Sequence, residues 1–238
     1  MKITIIGAGR AGRSFNAALR RAGHEVTLVH HDQRVVPADV ELVLLCVPDD
    51  ALIETAAQLR VDEATVVAHC AGSRTLEVLA PHRRTASLHP LVPLPNPQVG
   101  ARRLVGATYC VAGDATVIDL VDTLGGRCIA ISDERRATYH ATACVAANHV
   151  VALMGQVARL AAASGLELAD FIALTRSSLE DVEQLGPDAA LTGPASRGDL
   201  HTIDAHLAAI PEEERSTYVA LANSVLSMAD RRAFVQPH

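Results

Sequence analysis

The chain has 238 residues, enough to bury a sizeable core in one or two domains; 49% are hydrophobic, 3% aromatic and none is Trp. A core of Ala, Val, Leu and Ile favours helices and buried parallel strands over an aromatic-rich β-sandwich. The net charge of -6 and pI near 6.0 leave no basic footprint for nucleic acid or an anionic membrane, and Lys2 is the single lysine among 21 basic residues, so chemistry through a catalytic or Schiff-base lysine does not fit.

Taken in chain order, Lys2 to Ile6 reads as a strand, followed by Gly7-Ala8-Gly9-Arg10-Ala11-Gly12 opening a helix from Arg10 to Arg21. A second strand follows over Glu25 to Val29. A GxGxxG turn alone says little, but between a strand and a helix each glycine has a task. Gly7 permits the tight turn, Gly9 lets a pyrophosphate approach the backbone, and Gly12 lets the helix pack close to the strand. The reading is a dinucleotide site. At the end of the second strand His30 and His31 stand where an acidic residue would select NAD, and Arg34 is near enough to neutralise a 2′-phosphate, so NADP is expected, with NAD as the alternative. Between Val29 and Glu41 the crossover is so short, and carries Pro37, that its helix is expected to be vestigial.

Further strands are expected at Glu41 to Val47, Thr65 to His69, Thr85 to Leu88, Ala107 to Val111 and Arg127 to Ile131, the last two flanking a helix from Asp114. Cys46, Val47 and Pro48 end the third strand at the edge where an open α/β sheet binds its ligand, and Ser73, after the fourth, lies at the same edge. His69 and His89 end neighbouring strands there. Each has a structural reading as good as a catalytic one, and a metal site at His69, Cys70 and His89 has little support from spacing.

After residue 131 the texture becomes helical, with helices expected over Asp133 to Ser164, broken only by Gly155 and Gly165, then Leu168 to Leu185, Arg197 to Ala208 and Glu212 to Ala229. The fold expected is α/β: a doubly wound parallel Rossmann sheet in residues 1–131, followed by a smaller all-helical domain in residues 132–238 for substrate and dimerisation. Long Ala-rich helices suggest a homodimer that covers their apolar faces. His140, Cys144 and Asn148, at i, i+4 and i+8, share a face of the first helix; His140 is a candidate proton donor and Asn148 a candidate to orient substrate. Thr192 and Arg197, in the Gly/Pro loop Leu191 to Asp199, are candidates for an anionic substrate group, against the plainer reading of a helix stop and a capped restart. Five scattered cysteines, Cys46, Cys70, Cys110, Cys128 and Cys144, read as reduced thiols. With no signal peptide and no apolar run of transmembrane length, a cytoplasmic protein is expected.

The segments GAGRAGRS, LLCVPDDAL, HCAGS, SLHPL, YHATACVAAN and LTGPASRGD together resemble the Rossmann-like proteins carrying domain of unknown function 2520, within the wider group of 6-phosphogluconate dehydrogenase, pyrroline-5-carboxylate reductase and ketopantoate reductase. The resemblance implies an NADPH-dependent reductase of a small carbonyl or imine acid held between the domains, in which His140, Asn148, Thr192 and Arg197 serve the substrate. Ketopantoate, and with it pantothenate synthesis, is the first substrate it suggests. The chain departs from ketopantoate reductases and hydroxyacid dehydrogenases in lacking their helical Lys four residues before an Asn: Cys144 stands there, before Asn148. The alternative reading is a non-catalytic NAD(P)-binding sensor or interaction protein.

Overall fold

Runs of Val, Ile and Leu with no polar alternation form strands that are covered on both faces. In the computed structural model, which describes residues 1–30 and 39–235 with side chains through Asp230, these are β1 (Lys2–Ile6), β2 (Glu25–Val29), β3 (Leu42–Leu45), β4 (Val66–His69), β5 (Thr85–Pro90), β6 (Thr108–Gly113) and β7 (Arg127–Ala130). They make one sheet in the order β2-β1-β3-β4-β5-β6-β7. Successive side chains feed opposite cores. Ile3, Ile5, Leu42 and Leu44 pack with Phe15, Leu19, Leu104 and Leu120 on one face, while Ile6, Val43 and Leu45 pack with Leu52, Leu59 and Leu79 on the other. Each such side chain contributes about 1.5–3 kcal/mol by leaving water.

The helices of the sheet-bearing part are α1 (Arg10–Arg21), α2 (Leu52–Gln58), α3 (Pro97–Leu104), α4 (Thr116–Thr123) and α5 (Asp133–Cys144). All pairings are parallel except β5 with β6, so the sheet is the parallel Rossmann-like one expected, with a single antiparallel pair that was not. The connection between these two strands is a wide hairpin rather than a crossover: the Leu91 amide already bonds the Thr108 carbonyl at 2.8 Å, and a hairpin leaves its strands antiparallel. The vestigial helix expected between Val29 and Glu41 lies largely outside the described residues.

By compactness the chain divides into Met1–Ala147 and a second unit starting at Asn148, so α5 goes with the sheet, although the change to helical texture begins at residue 132. After α5 comes a π-helical turn, Val145–His149, and then α6 (Val150–Ala163), α7 (Leu168–Leu185), α8 (Pro187–Ala190), α9 (Leu200–Ala209) and α10 (Glu212–Val235). Gly155 sits inside α6 without breaking it. In the second unit the Gln156 amide donates to the Glu214 carbonyl at 3.0 Å and Arg159 pairs with the Glu214 carboxylate, tying α6 to α10. The helical run Asp133–Ala163 is long and apolar enough by length and composition to cross a membrane, with a mean hydropathy of 1.4 over its most apolar window. This revises the expectation drawn from uninterrupted apolar runs, because Thr, His, Asn and Gln are spaced through the segment without lowering its average far.

Candidate functional site

Where β1 ends, the chain must turn sharply to begin α1. Gly7 has φ +107°, open to glycine at little cost, and a Cβ there would lie 2.4 Å from the Cys46 carbonyl oxygen. A Cβ on Gly12 would lie 1.8 Å from the Gly7 oxygen. Both are demanded by packing. Gly9 is different: its φ is -76°, ordinary for any residue, and nothing lies within 4 Å of where its Cβ would be. The fold itself has no need of glycine at that position. Gly9 is also the N-cap of α1, with no side chain capping the first turn and no acidic residue in it, so the first amides of the helix have no partner within the helix.

This turn opens on a cavity of about 550 Å³ lined by Gly7, Ala8, Gly9, His30, Cys46, Val47 and Pro48, together with Ala51, Glu54 and Thr55 from the start of α2. Seven of the expected cofactor residues therefore come together. Arg10, Ala11 and Gly12 form the first turn of α1 beside it, while Ser73 is turned to the Asp49 carboxylate, to which its hydroxyl donates at 2.5 Å. His31 and Arg34 lie outside the described residues. Ala51, Glu54 and Thr55 were not anticipated, because α2 is too short to be recognised as a cavity wall from its pattern.

A second cluster forms where β4 and β5 end. His69 is fully buried; its Nδ1 accepts from the Ala71 amide at 3.2 Å and its Nε2 donates to the Thr75 carbonyl at 3.3 Å, so it holds the loop after β4 and is not free for chemistry. Burial, and then the charge of Arg136, lower its pKa to about 4. His89 is set facing α5, where the Tyr139 hydroxyl hydrogen-bonds its Nδ1; burial, and then His140 and Arg136, lower its pKa to about 4 as well. Burial raises the Tyr139 phenol far above its ordinary value.

His140 stands one residue on, its ring 5.9 Å from that of His89. Its Nε2 contacts the Cys144 sulfur at 3.6 Å, whereas its Nδ1 is buried with no hydrogen-bond partner among the described residues. Both rings press on Gly72: a Cβ there would lie 2.5 Å from His140 Nδ1 and 2.9 Å from His89 Nε2. Beneath them Arg136, 1% exposed, donates to the Ser87 hydroxyl at 3.0 Å and to Asp133 at 3.3 Å, leaving one terminal nitrogen unpartnered among the described residues. Gly72, Arg136 and Tyr139 were missed from sequence. The glycine of HCAGS was the available signal.

Asn148 falls in the π-helical turn, so the i, i+4, i+8 face expected for a regular helix holds from His140 to Cys144 and not beyond. In the second unit Thr192 and Arg197 are both exposed. Arg197 ends a short 3-10 turn, and Asp199 caps α9 through the Thr202 amide at 3.1 Å, which is the plainer arrangement described above.

Residues 108–225 match the model of a domain of unknown function, DUF2520. The chain carries a DUF2520 domain. That domain begins at β6 and includes Arg136, Tyr139, His140, Asn148, Thr192 and Arg197, while the glycine turn and its cavity precede it. No curated protein sequence matches the chain. Among solved structures, the fold is shared with a protein from Bacteroides fragilis provisionally described as an NADP oxidoreductase (TM-score 0.80, 22% identity, 95% of this chain and 98% of that one). It is shared also with 1-pyrroline-5-carboxylate reductase from Streptococcus pyogenes (0.62, 19%, 97% of each chain) and an imine reductase from Streptomyces aurantiacus (0.65, 17%, 98% and 99%). These likenesses establish a Rossmann-like sheet followed by a helical region for the DUF2520 protein.

Proposed function

We propose that the chain is an NAD(P)H-dependent oxidoreductase that reduces a small carbonyl or imine acid. The observation that carries this is Gly9: neither its backbone angles nor its neighbours require glycine, yet it stands at the mouth of the cavity, where a diphosphate would need an unobstructed helix start. The amides of Gly7 to Gly12 would hold the diphosphate, with Cys46, Val47 and Pro48 walling the dinucleotide. Bound there, the dihydronicotinamide supplies a hydride. NADP is the first cofactor and NAD the second. The activities named for the structural neighbours support the same chemistry.

His140 is the proton donor in this reading, its Nδ1 being left unengaged by the fold. Asn148 is assigned to orient the substrate, and Thr192 and Arg197 to bind its carboxylate. Ketopantoate is the first substrate to test. A second copy of the chain is the expected partner, covering apolar residues that the monomer leaves exposed on α7, among them Leu174 (65% exposed) and Leu185 (59%); light scattering that finds a monomer at micromolar concentration would remove that expectation. The function is tested by titrating NADPH and NADH into the purified chain, then following NADPH oxidation with ketopantoate, pyrroline-5-carboxylate and a panel of 2-oxo acids. Binding with turnover is expected. Binding without turnover on any of them would favour the sensor reading, and absence of binding would refute both.

A further inference from the structure

We infer that Arg13 is a positioning residue for the cofactor: its Nε–H holds the Ala8 carbonyl so that the Gly9 amide is already presented to a dinucleotide diphosphate before the ligand arrives. This rests on the dinucleotide reading above. The Arg13 side chain reaches back five residues along α1 and donates to the Ala8 oxygen at 2.7 Å. That oxygen stands one residue ahead of the N-cap, Gly9, and the helix ladder begins only after it, with the Arg13 amide donating to the Gly9 carbonyl at 3.0 Å. One residue thus holds two consecutive carbonyls of the glycine turn, the first through its side chain and the second through its backbone.

A trans peptide is planar, and its C=O and N–H point in opposite directions. Fixing the Ala8 oxygen toward Arg13 therefore fixes the Gly9 N–H away from it. Ala8 and Gly9 line the cavity and Arg13 does not, which puts the guanidinium behind the turn and the amide on its open side. The restraint matters at this peptide more than at its neighbours. Glycines flank Ala8 on both sides, nothing lies within 4 Å of a Cβ on Gly9, and no N-cap side chain holds the turn, so without Arg13 the plane is free to rotate. A donor fixed beforehand spares the complex the cost of ordering it on binding. An amide whose oxygen is held by a permanent cation is also polarised, which strengthens its N–H as a donor. The guanidinium itself is exposed, and the fold does not otherwise use it.

The test uses the full chain, with NADPH affinity from fluorescence titration and the Gly9 amide followed by nitrogen-15 NMR in the ligand-free protein. Arg13→Leu removes donor and charge together; it should weaken NADPH by roughly 3- to 10-fold, the worth of one hydrogen bond, and should move the Gly9 amide resonance. Gln carries its side-chain N–H as many bonds from the backbone as Arg carries Nε–H, without the charge, so Arg13→Gln should recover most of that loss and restore the resonance. The difference between the two variants should persist near 1 M salt, where the screening length is only about 3 Å and a distant charge has little pull. If the wild-type chain binds neither NADPH nor NADH, the dinucleotide reading fails. If it binds, and Arg13→Leu binds equally well, or Arg13→Gln is as weak as Arg13→Leu, or the Gly9 resonance is the same in all three proteins, the site stands and the role of Arg13 is overturned. Should Arg13→Leu not fold, the wild-type protein decides: an Arg13 Nε–H exchanging with water more slowly than that of exposed Arg21 upholds the role, and equal rates overturn it.

Discussion

Replacing Gly9 with Ala separates what the fold needs from what a ligand needs. Because φ is -76° and the Cβ meets nothing within 4 Å, folding should barely notice it: lost unfolded-state entropy returns about 0.4–1 kcal/mol, and Ala in place of Gly at an N-cap costs roughly 0.5–1 kcal/mol. The balance is near zero. For a diphosphate seated on the helix start the same methyl blocks close approach, and loss of one amide bond to a charged acceptor is worth about 1.5–3 kcal/mol. At 1.4 kcal/mol per decade this is roughly a 10- to 100-fold weaker NADPH complex. Gly12→Ala should behave in the opposite way, since its Cβ would press to 1.8 Å on the Gly7 oxygen and overpacking of that kind costs about 1–3 kcal/mol or more. Urea denaturation and NADPH fluorescence titration of both variants measure the two effects. Unchanged NADPH affinity in Gly9→Ala would refute the diphosphate site.

Gly72→Ala places a methyl 2.5 Å from His140 Nδ1; kcat should fall by about 10²-fold, the cost of misplacing reacting groups by an ångström, with NADPH affinity intact by fluorescence titration. His69 and His89 are neutral in the folded state down to about pH 4 and charge near 6.5 once unfolded. The unfolded chain thus binds more protons between these values, so stability is lost as pH falls from 6.5 toward 4, by about 2 kcal/mol per imidazole between pH 7 and 5. Urea denaturation at the two pH values checks this, and His69→Gln should lose that residue's share of the difference. Arg136→Met removes a cation that holds both imidazoles down, so the His89 pKa should rise in an NMR titration, while stability changes little because a buried, poorly paired charge is exchanged for apolar volume.

The sheet and most of the residues that line the cavity at its edge were legible because their signals are local. Strand, glycine turn and helix lie within the first 21 residues, and the strand ends that wall the cavity are marked by abrupt polarity changes at Val47-Pro48-Asp49. What failed needed long-range register. The antiparallel β6 depends on a hairpin whose closing bond joins Leu91 to Thr108, and the pairing of His89 with Tyr139 spans 50 residues. No spacing rule reaches that far. The π-helical turn at Val145–His149 breaks the face on which His140 and Asn148 were placed together, and nothing in its Ala-rich composition distinguishes one extra residue per turn from a regular helix.

The cavity and the buried histidine cluster stand at the ends of paired strands, β3 and β4. Cys46 walls the cavity at the end of β3, and its sulfur lies 3.7 Å from that of Cys70, which starts the loop carrying Gly72 from the neighbouring strand β4. The hydrogen bond with the Cys70 thiol, and then burial, raise the Cys46 pKa well above its ordinary value. The proposed reductase would draw its proton from an imidazole, that of His140, and not from an ammonium, since the single lysine, Lys2, stands at the start of β1. Such a donor would gain from exclusion of water, because a hydrogen bond is stronger in a low dielectric. The His69 hydrogen bonds that hold residues 71 to 75 over the cluster are therefore expected to matter to turnover as well as to folding.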